Sequence, residues 1–237
     1  MKLDARLNLF ITLVATFMVC LVVGDLIGGK LTSFHLFGRE WVFSVGQIAF
    51  PVTFILTDIL NEFYGRKVVR RVTLLAFCMV GLSFLIIYAA GAMPWWEVAT
   101  KPDWSGVTPD AFTLVFTQAT RIQIASMFAF LIANYVDIWV FFLFKRLTGN
   151  KMLWLRATGS TAVSQLIDTF VISALVWGGK LSPGEYLTVV FTSYFIKVGI
   201  AILVTPVIYG VHELIEKRYG IEPAPPEEAS ADISKGA

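Results

Sequence analysis

The sequence predicts an all-α integral membrane protein with six transmembrane helices, both termini cytoplasmic, and a small outer β-hairpin between the first two helices. Three observations predict it. Apolar side chains make up 57% of the chain and charged ones only 15%, where soluble domains are nearer a quarter charged. Mean hydropathy is +0.72, and six apolar runs reach the roughly 20 residues that a bilayer crossing needs. The basic residues gather in two of the connecting loops, and retained positive charge marks the cytoplasmic side.

The runs fall at about 7–27, 45–64, 72–93, 121–144, 158–178 and 186–211. The first is too long for a signal-peptide core and no small-residue cleavage site follows it, so it is read as a retained helix. "LTSFHLFGREWVFSV" then alternates apolar and polar residues around Phe37-Gly38-Arg39, the pattern of a hairpin. Gly65 ends the second run just before Arg66, Lys67, Arg70 and Arg71. "MPWWEVATKPDWSGVTP" sets Trp95, Trp96 and Trp104 among prolines, which suits the outer headgroup level. Lys145, Arg146, Lys151 and Arg156 fill the loop after the fourth run and read as the second cytoplasmic cluster. Arg121, at the outer end of that run, reads as a snorkelling residue. Residues 1–220 form one six-helix transmembrane domain. From 221 to 237, "IEPAPPEEASADISKGA" is polar, Pro-rich and read as a disordered cytoplasmic tail. The protein is thus expected in the cell (inner) membrane as a multi-pass chain, with the lipid bilayer as its first partner.

Composition also narrows function. A net charge of +2 gives no case for nucleic acid. Cys20 and Cys78 sit inside apolar runs and read as free, buried thiols. There is no Walker, zincin or catalytic-triad spacing, so no catalytic residues and no cofactor are expected. His35 and His212 lie outside the runs, which disfavours an intramembrane metal site.

Ionisable side chains within a bilayer cost a few kcal/mol each and face a cavity or a partner. Counting from the basic clusters at 1.5 Å per residue places Asp58 and Asp137 each ~12 Å above the cytoplasmic side and Asp168 ~18 Å above it. Lys197 lies ~18 Å below the outer side, counted from Glu185. Each acid has polar company on its own helix face: Asp58 with Asn61 and Glu62, Asp137 with Asn134, and Asp168 with Ser164 and Gln165. A lone buried Asp beside an amide often only ties helices together. Glu62, four residues before Arg66, reads equally as an i,i+4 pair or a snorkelling acid. Lys197 can neutralise a single Asp. Three acids against one lysine leave charge uncompensated, which favours a ligand that donates hydrogen bonds. A carboxylate accepts two parallel hydrogen bonds, and Phe50, Phe54, Tyr135 and Trp139 offer faces for stacking. The inventory suits a planar, donor-rich heterocycle of the guanine type; amino acids and cations satisfy part of it too.

"FPVTFILTDILNEFYGRK", "VDIWVFFLFKR" and "WLRATGSTAVSQLIDTFV" resemble the signature segments of the queuosine precursor transporters, also called the vitamin uptake transporter family. The resemblance runs from about Leu7 to Arg218. It implies uptake of 7-deazaguanine bases, such as the cyano and aminomethyl precursors of queuosine, with Asp58, Asn61, Glu62, Asp137, Gln165 and Asp168 as substrate-binding positions. Asn134 and Lys197 complete the candidate set from the depth argument. A self-sufficient alternating-access transporter is the first reading. The second is the substrate-binding subunit of an ATP-driven vitamin transporter; the small pair Gly24 and Gly28 lies at the outer end, the wrong depth for a cytoplasmic docking partner. The third is an intramembrane aspartyl enzyme, which needs two acids within a few Å. A homo-oligomer stays open. The second and fourth runs echo each other, each with an Asp eight residues before a basic pair.

Overall fold

A computed structural model describes residues 4–28, 30–36, 38–117, 120–149, 151–177, 179 and 182–224. Its elements are α1 (Ala5–Ile27), the strands β1 (Leu31–Leu36) and β2 (Arg39–Ser44), a 3-10 turn (Val45–Ala49), α2 (Phe50–Gly91), the one-turn α3 (Pro109–Phe112), α4 (Thr120–Thr148), α5 (Leu153–Trp177) and α6 (Pro183–Tyr219). Ala5–Ile27, Val45–Gly91, Ile124–Thr148 and Pro183–Tyr219 are long and apolar enough to cross a membrane. The fold is that of an all-α membrane protein. α5 matches the others in length but carries Arg156, Gln165 and Asp168 along its course.

The second and third expected runs are one bent element. α2 runs unbroken in register except at Gly65, whose φ of 78° and ψ of 166° lie in a region open only to glycine. Gly65 therefore bends the chain where it was expected to end a helix, and Arg66 to Arg71 lie in the helix after the bend. The contacts along α4 give the direction of each leg. Before the bend, Glu62 meets Lys145 and Asp58 is within electrostatic reach of Asp137, so this leg runs parallel to α4. After it, Thr73 donates to Asn134 and Phe77 packs on Phe128, so the second leg runs antiparallel. α2 doubles back at Gly65.

A break in a helix frees the carbonyls of the turn before it. Other elements cap them here: the Glu62 carbonyl accepts from Lys145 Nζ at 3.2 Å and from the Ala224 N–H at 2.8 Å, and the Phe63 carbonyl accepts from Arg6 Nη2 at 3.0 Å. The start of α1, the end of α4 and the segment just after α6 thus all meet at the bend. The same end receives the start of α5 and the end of α6, through Arg156 and His212.

The opposite end carries the hairpin, with Leu31 opposite Ser44 and Leu36 opposite Arg39. Phe37 lies outside the described residues. Gly46, just beyond β2, packs so closely on α1 that a Cβ there would sit 2.4 Å from the Gly24 carbonyl and 3.0 Å from Gly28 Cα. The small pair of α1 is thereby used within the chain. α6 begins with a capping box between Ser182 and Glu185 and ends at Gly220 in the left-handed region. That turn sends Ile221 and Ala224 back into the core beside Phe63, Phe141 and Ile215. Ile221 and Ala224 of the expected tail are thus buried, while Glu222 is exposed; residues 225–237 lie outside the described set, as does the Arg121 side chain. Cys20 is half-buried and Cys78 exposed, both free, in place of the buried thiols expected.

Candidate functional site

One face of the first leg of α2 organises the interior. Phe50, Phe54, Asp58 and Glu62 follow at i,i+4 spacing and stack along it. Around this column the described charges fall into two groups.

At the bend, Glu62 is 1% exposed and held from three other helices. Its Oε1 pairs with Arg156 Nη2 of α5 at 3.0 Å, its Oε2 with Lys145 Nζ of α4 at 3.2 Å, and His212 Nε2 of α6 lies 3.8 Å from Oε1. This corrects three sequence expectations. Glu62 is buried in ion pairs with other helices, not snorkelling. Lys145 and Arg156 are buried partners, not loop charges. His212 sits inside α6, one residue past the expected end of the sixth run.

One turn away, Asp58 and Asn61 are equally buried and differently served. Asp58 Oδ1, Asn61 Oδ1 and Asn61 Nδ2 have no hydrogen-bond partner among the described residues. A buried polar group without a partner costs about 1–3 kcal/mol, and native interiors keep few of them. Asp137 lies within electrostatic reach of Asp58 and accepts from the Ser164 hydroxyl at 3.2 Å. Gln165, the next residue, has an unpartnered Oε1. Asp58 and Asp137 are thus within electrostatic reach of each other, and Asn61 and Gln165 carry unpartnered amide atoms. Asn134 is turned to Thr73 on the second leg of α2. Of the four stacking candidates, Phe54 lines the gap beside Asp58, whereas Tyr135 and Trp139 are on the outside of the bundle.

Toward the hairpin end, Lys197 Nζ pairs with Asp168 Oδ2 at 2.6 Å and sits over the Phe50 ring, 5.1 Å from its centroid. Asp25 of α1 lies within electrostatic reach of Asp168 and accepts from Ser126 at 3.3 Å. The sequence reading passed over Asp25. The signal was available, since it is an acid inside the first apolar run.

Two spaces adjoin these groups. Asp58, Phe54, Thr161, Ala201, Val204 and Ile208 line a gap between α2, α5 and α6 that is packed shut. A cavity of ≈ 290 Å³ opens at the bend end, walled by Glu62, Arg156, Tyr209, His212, Glu216 and Pro223. The Glu62–Arg156 pair stands between the two spaces. Chemically, the closed gap offers acceptors and amides to a donor-rich ligand, while the open cavity offers a guanidinium. No group of three or more His, Cys, Asp or Glu among the described residues is placed to hold a metal.

Residues 44–211 match the family described as "Putative vitamin uptake transporter". The chain belongs to this family. The match covers the hairpin end of β2 through most of α6, and so every residue of the column on α2. Among curated relatives of this vitamin uptake family, a Bacillus subtilis protein named "Probable queuosine precursor transporter" is 29% identical over 73% of this chain and 72% of its own length. An Escherichia coli protein named "Queuosine precursor transporter" is 26% identical over 70% of this chain and 71% of its own. A Haemophilus influenzae protein named "Probable queuosine precursor transporter" is 24% identical over 70% and 66%. No solved structure matches the chain. As a member of a transporter family with helices able to cross a bilayer, this is a multi-pass membrane protein.

Proposed function

We propose that the chain imports 7-deazaguanine queuosine precursors, the 7-cyano and 7-aminomethyl bases, across the cytoplasmic membrane by alternating access. The observation that carries this reading is the pair Asp58 and Asn61, buried with unpartnered polar atoms and with Asp137 within electrostatic reach of Asp58. A guanine-type edge presents a ring N–H and a 2-amino group side by side, which matches the two acceptor directions of one carboxylate. Asn61 and Gln165 serve the neighbouring keto group and ring nitrogen, and Phe54 supplies a stacking face. The positively charged 7-aminomethyl group has Asp137 as counter-ion. Asp168, Lys197 and Asn134 frame the site toward the hairpin end.

The names of the relatives support the substrate class. The bend at Gly65 supports six crossings, because each leg of α2 then counts once. The bend end carries Lys145, Arg146, Arg66 and Lys67, so it faces the cytoplasm with both termini, and the hairpin faces outward. In this conformation the gap beside Asp58 is closed while the cavity at the bend end is open. Admission of a base requires α6, through Ala201, Val204 and Ile208, to part from α2 and α5.

The test is uptake of the two deazaguanines by liposomes holding only this purified chain, with and without a proton gradient. Transport is expected without any ATP-hydrolysing partner. Binding without transport would instead assign the chain as the binding subunit of an ATP-driven system. Hypoxanthine, which differs from guanine by the missing 2-amino donor, is expected to compete far worse than guanine, since a buried acceptor then loses its partner.

A further inference from the structure

The open cavity at the bend end has a feature the transport site does not use. Arg156 is buried, and only its Nη2 is engaged, by Glu62. Its Nε and Nη1 have no hydrogen-bond partner among the described residues, although both are donors that always carry hydrogen. The guanidinium lines a space of ≈ 290 Å³, near the small end of the roughly 300–1,000 Å³ common for ligand cavities. A guanidinium kept dry with idle donors beside such a space is a recognition element for an acceptor.

The surrounding charge selects the kind of acceptor. Glu62 and Glu216 line the same space, and Lys145 stands behind Glu62. Two acids face two cations, with His212 as a further hydrogen-bonding group, so the cavity has no excess charge with which to hold a phosphate or sulfate. A neutral or singly charged ligand with a ring carbonyl fits better. Such a carbonyl would meet the N–H groups of Arg156, which are buried at the cavity wall and reach it by a turn of the guanidinium, while ring amines would meet Glu216 and the walls at Tyr209, Leu153 and Pro223 would cover the faces of a flat ring.

We propose that this cavity is a second substrate station, which receives the base from the Asp58 level by its carbonyl edge and holds it before release at the bend end. The proposal rests on the deazaguanine reading above. Arg156 lies within electrostatic reach of Asp58 while bound to Glu62, so it stands at the step between the two stations. Asp58 reads the donors of the base and Arg156 its acceptor, and a base passing from one to the other is held by one edge at a time.

The experiment counts bound base. Purified full-length chain in lipid nanodiscs is equilibrated with radiolabelled 7-cyano-7-deazaguanine, and moles bound per mole of chain are measured at saturation. About two equivalents are expected. Glu216→Trp, at a half-exposed helical position on the cavity rim, fills the space and is expected to leave one. Asp58→Asn is expected to leave the other. Arg156→Lys keeps the charge opposite Glu62 but loses the planar fork, and is expected to weaken the second equivalent at least tenfold with little change in melting temperature. One equivalent on the native chain, abolished by Asp58→Asn and untouched by Glu216→Trp, overturns the second station and leaves the transport reading intact. Displacement of one equivalent by millimolar inorganic phosphate also overturns it, because the cavity is then an anion site. No binding of the base at all removes the transport reading along with this one.

Discussion

Glu62 and Asp58 stand one turn apart on the same face of α2, equally buried, and each has one carboxylate oxygen without a hydrogen bond among the described residues, but the charges around them differ. Glu62 is gripped by Lys145 and Arg156 and approached by His212, so four helices converge on it. Asp58 has an oxygen with no partner among the described residues and faces a second acid, Asp137. The difference separates two jobs for a buried carboxylate. One that is ion-paired to cations on other helices fixes those helices in place, and its removal strands its partners. An uncompensated one carries a standing cost, which a ligand that donates hydrogen bonds can remove. Within one motif the protein therefore keeps a structural knot beside a binding group.

The largest effect is expected at the knot. Glu62→Ala leaves Lys145 and Arg156 buried without a counter-charge, and breaking such a pair from one side costs about 3–5 kcal/mol. Thermal unfolding in detergent should show a large drop in melting temperature. Replacing all three as Glu62→Leu, Lys145→Met and Arg156→Leu should recover much of that loss, since the charges leave together. If the single substitution is thermally silent, the ion-pair geometry at the bend does not describe the working protein.

Asp58→Asn is expected to do the reverse. Binding of the deazaguanine should weaken by about 1.5–3 kcal/mol, the range for a hydrogen bond to a charged group. The melting temperature should hold or rise, because a buried acid within electrostatic reach of a second acid has been replaced by a neutral amide. Unchanged affinity with a collapse in stability would place Asp58 with Glu62 as a structural residue and erase the contrast.

The levels of these residues were readable from the sequence because the polar groups recur at i,i+3 and i,i+4 in apolar runs of known rise. Counting alone places Asp58 and Asp137 at one depth, and they lie within electrostatic reach of each other. Their partners were not readable, for a physical reason. A basic residue at the end of an apolar run can anchor a loop in the cytoplasm or turn inward to a buried acid, and both give the same string. Lys145 and Arg156 were read as anchors and are partners. Gly65 posed a similar ambiguity, since a glycine after an apolar run can end a helix or bend it. The helix that continues after it decides between the two, with the carbonyls freed before the bend capped by Arg6, Lys145 and Ala224.

The bend itself gives a smaller, sharper test. Gly65→Ala forces a side chain into backbone essentially reserved for glycine, a cost of about 1–3 kcal/mol. The strain falls on the turn that presents Glu62, not on the turn that presents Asp58. Melting temperature and uptake should both fall, while equilibrium affinity for the base should change less than in Asp58→Asn. A loss of affinity equal to that of Asp58→Asn would mean that the two turns move as one unit.

The smallest expected effect lies in the segment that closes over the knot. Ala224 donates its backbone N–H to the Glu62 carbonyl at 2.8 Å, and the same carbonyl also accepts from Lys145. Ala224→Pro deletes that one donor. The residue already sits between Pro223 and Pro225, which confine it to extended conformations, so the substitution alters the hydrogen bond more than the path of the chain. Because Lys145 continues to serve the carbonyl, the loss should be that of an ordinary hydrogen bond, about 0.5–1.5 kcal/mol. It should appear as a modest fall in melting temperature and as faster hydrogen exchange at the backbone of residues 66–69, just past the bend. Base affinity at the Asp58 level should stay unchanged. A fall in that affinity larger than the fall in stability would show that residues 221–224 act on the binding group as well as on the knot, and the division drawn along α2 would then have to include the end of the chain.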